Sequence, residues 1–165
     1  MPLGEAELDR FLREGEQAGW SHLELLDHLF AQQAASKRER TIARRIREAG
    51  FAGNKTLETF DWQFNAQAID RVQIEELASG EFVRRGDNLL MIGQSGIGKS
   101  HLLEAVSRRL CTHGHRVRYI ASDQLLADLA ASLADGTTPT RIRDYVHFDL
   151  LVIDDIRVPH QIGID

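Results

Sequence analysis

The sequence predicts an α/β fold, a parallel sheet with helices on both faces, preceded by an all-helical N-terminal arm. Three observations predict it. From Leu89 onward, short apolar runs alternate with stretches of helical periodicity, the pattern of strands joined by crossover helices. Before Lys55 apolar residues recur only at helical spacing. Between the first apolar run and the helix after it lies GQSGIGKS, residues 93–100.

The arm comes first. Ser21 and Glu24 have the spacing of a reciprocal helix cap. Leu23, Leu26 and Phe30 follow at helical spacing, with Leu25 and Leu29 beside them. The segment SKRERTIARRIRE, 36–48, is expected as a second helix that stops at Gly50. At about 100° per residue, Lys37, Arg40, Arg44 and Arg47 share one face, and Ile42 and Ile46 lie opposite. The connector KTLETFDWQFN, 55–65, is aromatic and aperiodic, so the module boundary is placed there, giving an arm of 1–54 and a domain of 55–165. Trp62 and Phe64 are expected to pack within that connector; stacking on a nucleotide base is the other reading. Residues 67–79 predict a helix with Ile69, Val72 and Leu77 as its apolar positions.

The domain then alternates. LLMI, 89–92, reads as a short buried strand, and 99–113 as a helix closed by Gly114. RVRYIA, 116–121, is the second strand. Ser122 is expected to cap a helix carrying Leu125, Leu126, Leu129 and Leu133, which ends at Asp135-Gly136. A short helix at 140–147 leads into DLLVID, 149–154, the third strand.

Composition bounds the function. A chain of 165 residues is one domain, or one with a small appendage. With 42% hydrophobic residues it can build a core. No apolar run reaches membrane-spanning length, and no apolar signal segment opens the chain. One cysteine, Cys111, excludes an internal disulfide and suits a reducing cytoplasm. The net charge of −5 is unevenly spread. Residues 1–30 hold seven acids and two bases, whereas 36–48 hold six bases and two acids. The basic face is therefore either a solvated surface or a contact for nucleic-acid phosphates.

The glycine stretch carries the sharpest chemistry. Gly93 and Gly98 bracket four residues and are followed by Lys99 and Ser100, with a strand before and a helix after. That context is what a phosphate-binding loop requires. Glycines at 93, 96 and 98 let backbone amides turn inward, and the helix N-terminus adds its positive end. Lys99 is placed to reach the β- and γ-phosphates, and Ser100 to bind Mg²⁺. LLVIDD, 150–155, is the partner motif: Asp154 is positioned for Mg²⁺, and Asp155 where a catalytic base would orient water. CTHGH, 111–115, offers metal-ligating residue types but reads as a surface turn.

In order, HLELLDHLF with its basic helix, TLETFDWQFN, ELASGEFVRRGDNLLMIG, GQSGIGKSHL and DLLVIDD resemble the IstB-like ATP-binding proteins, AAA+ ATPases related to DnaC-type helicase loaders. The resemblance implies an ATP-dependent helper of an insertion-sequence transposase that binds double-stranded DNA, self-assembles and assists the transposase. ATP and Mg²⁺ are the implied cofactors. Gly93, Gln94, Ser95, Gly96, Ile97, Gly98, Lys99, Ser100 and His101 are the candidate nucleotide-binding residues, with Lys99 and Asp155 as the catalytic pair. Lys37, Arg40, Arg44 and Arg47 become the candidate DNA face.

Two departures matter. Asp155 is often Glu in the family, and after it the resemblance fades. AAA+ sheets are similar to one another in a strand order of 5-1-4-3-2, so strands 4 and 5, with the sensor residues and arginine finger, are expected beyond this stretch. The expected fold is thus an incomplete P-loop sheet, and a truncated remnant that holds nucleotide without turnover is the competing reading. A small-molecule kinase fits less well, because 65 residues after Ser100 leave little room for a lid and an acceptor pocket.

Overall fold

A computed structural model describes residues 4–64 and 69–156. The chain divides into two compact units, Met1–Thr41 and Ile42–Asp165.

The first unit holds α1 (Glu5–Ala18) and the N-terminal part of α2 (His22–Ala49). Gly19 ends α1 in the left-handed region, at φ 69°. The predicted cap of α2 forms: the Ser21 amide donates to Glu24 Oε2 at 2.8 Å, and the Glu24 amide donates to Ser21 Oγ at 3.3 Å. These bonds from Ser21 hold the Glu24 carboxyl below its ordinary value. Phe11 is buried, its ring 5.8 Å from Trp20, and Trp20 stacks on His28 at 4.0 Å. Gly15 permits the close approach of the helices. A Cβ there would lie 2.7 Å from Leu25 Cδ1 and 3.1 Å from Trp20 Cε3.

The basic segment is not a second helix, as its charge suggested. It is the continuation of α2, which runs for 28 residues. No Gly or Pro occurs between Ala31 and Ala49, so nothing in the backbone interrupts the hydrogen-bond ladder. Gly50, at φ 77°, ends it.

In the second unit Ala49 is fully buried, and Ile46 and Phe51 pack on the same core. From the connector, Leu57 and Phe60 are buried and Trp62 is half-buried. Phe64, expected to pack, is instead 68% exposed. The helix expected over 67–79 is α3 (Arg71–Ala78), with Asp70 accepting from the Val72 amide at 2.9 Å; positions 67 and 68 lie outside the described residues. A short α4 (Glu81–Arg85), not anticipated, sits between Gly80 and Gly86, both at positive φ.

Helix α5 (Lys99–Thr112) is the centre of the unit. Leu102, Ala105, Val106, Leu110 and Cys111 are buried on it, and α3 packs against it. Truncating Leu110, which has no exposed surface, would cost about 2–5 kcal/mol. Glu104 is buried as well. It is compensated by the Lys55 amide at 3.2 Å and Arg108 Nε at 3.0 Å.

Next come β1 (Val117–Ala121), α6 (Ser122–Ala134), α7 (Thr138–Val146) and β2 (Leu150–Asp154). The two strands pair in parallel, in register from Val117 opposite Leu150 to Ala121 opposite Asp154. This is the adjacency expected of the second and third predicted strands. Val117, Tyr119 and Val152 lie on one pleat, in the core shared with α5. Ile120, on the other pleat, is buried too, and α6 packs along both strands. Helices thus cover both faces of a small parallel sheet.

The run 89–92 departs from expectation. It is not a strand, and among the described residues the sheet has only β1 and β2. Met91 reaches the core, but Leu90 is 72% and Ile92 83% exposed. Apolar content alone does not make a strand: its amides and carbonyls need a neighbouring strand to bond, and none among the described residues pairs with them.

Candidate functional site

Residues 93–98 link the run 89–92 to the N-terminus of α5. Gly96 and Gly98 stand at φ 83° and 98°, where a side chain would be strained. At Gly98 a Cβ would also meet Phe60 Cε2 at 2.8 Å, so the buried connector ring sits directly behind the loop. Lys99 Nζ donates to the carbonyls of Gly93 and Gln94, each at 2.7 Å, folding the ammonium back over the loop.

β2 brings the second motif to this loop. Ser100 Oγ donates to Asp154 Oδ1 at 3.1 Å, joining residues 54 positions apart. The Asp155 amide donates to the same oxygen at 2.8 Å, and the Tyr119 hydroxyl donates to Oδ2 at 2.5 Å. Burial pushes the Asp154 carboxyl up. The hydrogen bonds from Tyr119, Asp155 and Ser100, aided by the Lys55 cation, outweigh it and hold the carboxyl below the usual carboxylate value. The Tyr119 phenol is pushed well up, first by burial and then by its bond to Asp154, so it stays a donor.

Asp155 takes a left-handed φ of 54°, which Asp tolerates better than most side chains. Ser122 Oγ donates to its carbonyl at 2.8 Å. Ser122 is therefore not the helix cap its position suggested: it is the first residue of α6, and Ala121 stands at the cap. His101 turns toward the connector. Its Nε2 is 3.0 Å from the Thr56 carbonyl and 3.4 Å from Thr59 Oγ1, and its ring meets the edge of Phe60 at 5.1 Å.

Four groups at the site escaped the sequence reading: Tyr119, Lys55, Phe60 and Ser122. None of them left a signal that the sequence alone can carry, and Tyr119 shows why. It lies two positions before the residue paired with Asp154, hence on the same pleat. Recognising it needs the register, which an unaligned sequence does not carry.

The donor set suits a hard cation. A hydroxyl and an ionised carboxylate meet beside a helix N-terminus, and Mg²⁺ takes few protein oxygens when phosphates supply others. Among the described residues no three His, Cys, Asp or Glu side chains cluster to hold a metal by themselves. The stretch CTHGH runs off the end of α5: Cys111 is buried in the helix, its thiol pushed up to about 11 by that burial, and Gly114 turns the chain beyond it at φ 106°.

Away from the loop, Lys37, Arg40, Arg44 and Arg47 are all exposed along α2, while Ile42 and Ile46 are half-buried. Arg44 lies 3.8 Å from Glu48, an exposed pair of little energetic weight. Among the described residues no helix is long and apolar enough to cross a membrane.

A glycine loop opening a helix, met by an acidic strand end, defines a class of nucleotide-binding α/β proteins. Within that class the chain belongs to the IstB-like ATP binding protein family, whose model matches residues 5–160. It is 30% identical over 148 residues to a Mycobacterium tuberculosis protein named as an ATP-binding protein in an insertion sequence, covering 90% of this chain and 59% of that one. It is 28% identical over 149 residues to the protein named as the ATP-binding protein of insertion sequence IS21 from Pseudomonas aeruginosa, covering 90% and 56%. The counterpart named for insertion sequence IS5376 in Geobacillus stearothermophilus is 30% identical over 137 residues, covering 82% and 54%. The chain thus spans somewhat more than half the length of these relatives.

Proposed function

We propose that this chain binds Mg-ATP at residues 93–101 and serves as the ATP-binding helper of an insertion-sequence transposase. Lys99 neutralises the β- and γ-phosphates, Ser100 and Asp154 hold Mg²⁺, and Asp155 orients the attacking water. Lys37, Arg40, Arg44 and Arg47 contact the phosphates of double-stranded DNA, and copies of the protein assemble with one another and with the transposase. The observation that carries the nucleotide reading is the 3.1 Å bond between Ser100 and Asp154, which joins the two motifs at the start of α5. The names of the relatives support the biological setting.

Titration of a fluorescent ATP analogue tests the nucleotide site. Lys99→Ala is expected to weaken binding at least about tenfold, since it removes a charge-assisted contact to phosphate, while leaving the fold intact. Equal affinity in both proteins removes the assignment. The DNA face is tested by salt dependence. Changing all four bases to Gln is expected to lower the log–log slope by about 0.9 per lost phosphate contact. An unchanged slope makes that face a solvated one.

A second reading has its own observation. Residues 89–92, which lead into the loop, pair with no strand among the described residues. On that reading the chain holds nucleotide but does not turn it over. Phosphate release with and without duplex DNA separates the two.

A further inference from the structure

The geometry points to Tyr119 as a positioning residue: its hydroxyl holds Asp154 Oδ2 so that Oδ1 stays turned toward Ser100 and the metal–nucleotide site. This rests on the proposed reading that the loop binds Mg-ATP.

The placement follows from the sheet. Ala121 is registered with Asp154, and Tyr119 with Val152. Side chains two apart on a strand share a face, so Tyr119 and Asp154 are diagonal neighbours on the pleat facing α5. Tyr119 is only 8% exposed, and its ring tilts against Phe51 at 5.7 Å. A phenylalanine would fill that space equally well. What the hydroxyl adds is one bond, and it goes to the carboxylate.

That bond divides the work of the two carboxylate oxygens. Oδ1 accepts from Ser100 Oγ and the Asp155 amide, whereas Oδ2 accepts from Tyr119. The terminal torsion of an aspartate is broad, so a carboxylate held on one oxygen alone can rotate. Held on both, it presents a fixed oxygen to whatever Ser100 binds. Groups that orient a metal-binding carboxylate typically change metal affinity by about 10–100-fold when removed.

The test is Tyr119→Phe in the full chain, with N-methylanthraniloyl-ATP titrated in EDTA and Mg²⁺ then titrated into the saturated complex. The expected result is EDTA affinity within about twofold of wild type and half-saturation by Mg²⁺ raised about 10–100-fold, with the thermal midpoint shifted by no more than about 5 °C. The same substitution in an Asp154→Ala background is expected to change nothing further, because the effect runs through that carboxylate. An unchanged Mg²⁺ half-saturation overturns the proposal. So does an equal loss of affinity with and without Mg²⁺, which marks a purely structural role, or an undiminished effect in the Asp154→Ala background. A wild-type chain that binds no analogue in either buffer overturns the nucleotide reading itself, and the role of Tyr119 with it.

Discussion

Residues 89–92 and residues 150–154 look alike on paper. Each is a short apolar run ending at a candidate site motif, the glycine loop in one case and the acidic pair in the other. Their fates differ. The second is a strand, hydrogen-bonded to β1, with Val152 only 7% exposed. The first is unpaired, with Ile92 83% exposed. Hydrophobicity nominates a strand, but pairing makes one, and pairing depends on what else is present. Yet the unpaired run still delivers the loop to α5, because Met91 and the Phe60 ring behind Gly98 anchor its two ends to the core. The glycine loop therefore leans on α5 and the connector more than on the sheet.

The largest effect expected from this contrast is on turnover. On the second reading, in which nucleotide is held without turnover, a fusion to the C-terminal part of a longer relative is expected to raise phosphate release from Mg-ATP by about 10³–10⁵, the size of effect a transition-state arginine supplies. Amide exchange at 89–92 is expected to slow in parallel. Robust turnover by the 165-residue chain itself would break the contrast, since an unpaired run would then suffice.

A smaller effect separates the two runs in stability. Val152→Asp puts a charge into the core between β2 and α5, a cost of several kcal/mol against a total of about 5–15. Ile92→Asp touches a side chain already in water and should stay within about 0.5 kcal/mol. Denaturant unfolding measures both. If Ile92→Asp unfolds the chain as readily as Val152→Asp, the run 89–92 is buried in solution and the contrast fails.

Much of this organisation is legible in the sequence, and the gaps have physical causes. The cap at Ser21 and Glu24, the stop at Gly50 and the loop-to-helix junction at Gly98-Lys99 are local, so spacing alone reveals them. The continuity of α2 was also local but was masked by charge: a change from acidic to basic composition looks like a boundary, although the backbone sees none. Phe60 and Phe64 cannot be told apart by type; only the packing decides that one is buried and the other exposed. Ser122 has the right residue type for a helix cap, but its hydroxyl goes to a carbonyl 33 positions away. Tyr119 is the same kind of case. A parallel register joins it to Asp154 across 35 positions, and nothing in either segment announces the partner.

The smallest expected effect lies at Asp154, where the paired run ends. Its carboxyl is held below the ordinary value in the folded chain, burial notwithstanding, by donors from Tyr119, Asp155 and Ser100. The folded protein therefore binds this proton less readily than the unfolded one, for which about 3.9 is typical. Whatever stability the ionised form contributes is fully present above that unfolded value. It is lost as pH falls through the lower folded value. Asp154→Asn keeps the shape but cannot ionise, so it should lack this dependence. Unfolding free energies of the two proteins are expected to differ by a constant amount above about pH 5 and to converge as the solution is acidified below the carboxylate range. The convergence should be modest, since the group is only half-buried and solvent screens part of the interaction. The sign is what matters. If wild type instead gains on Asp154→Asn as pH falls, the carboxyl is raised rather than lowered. Burial then prevails over the three donors, and the acidic end of β2 is neutral in acid where an ionised oxygen beside Ser100 is expected.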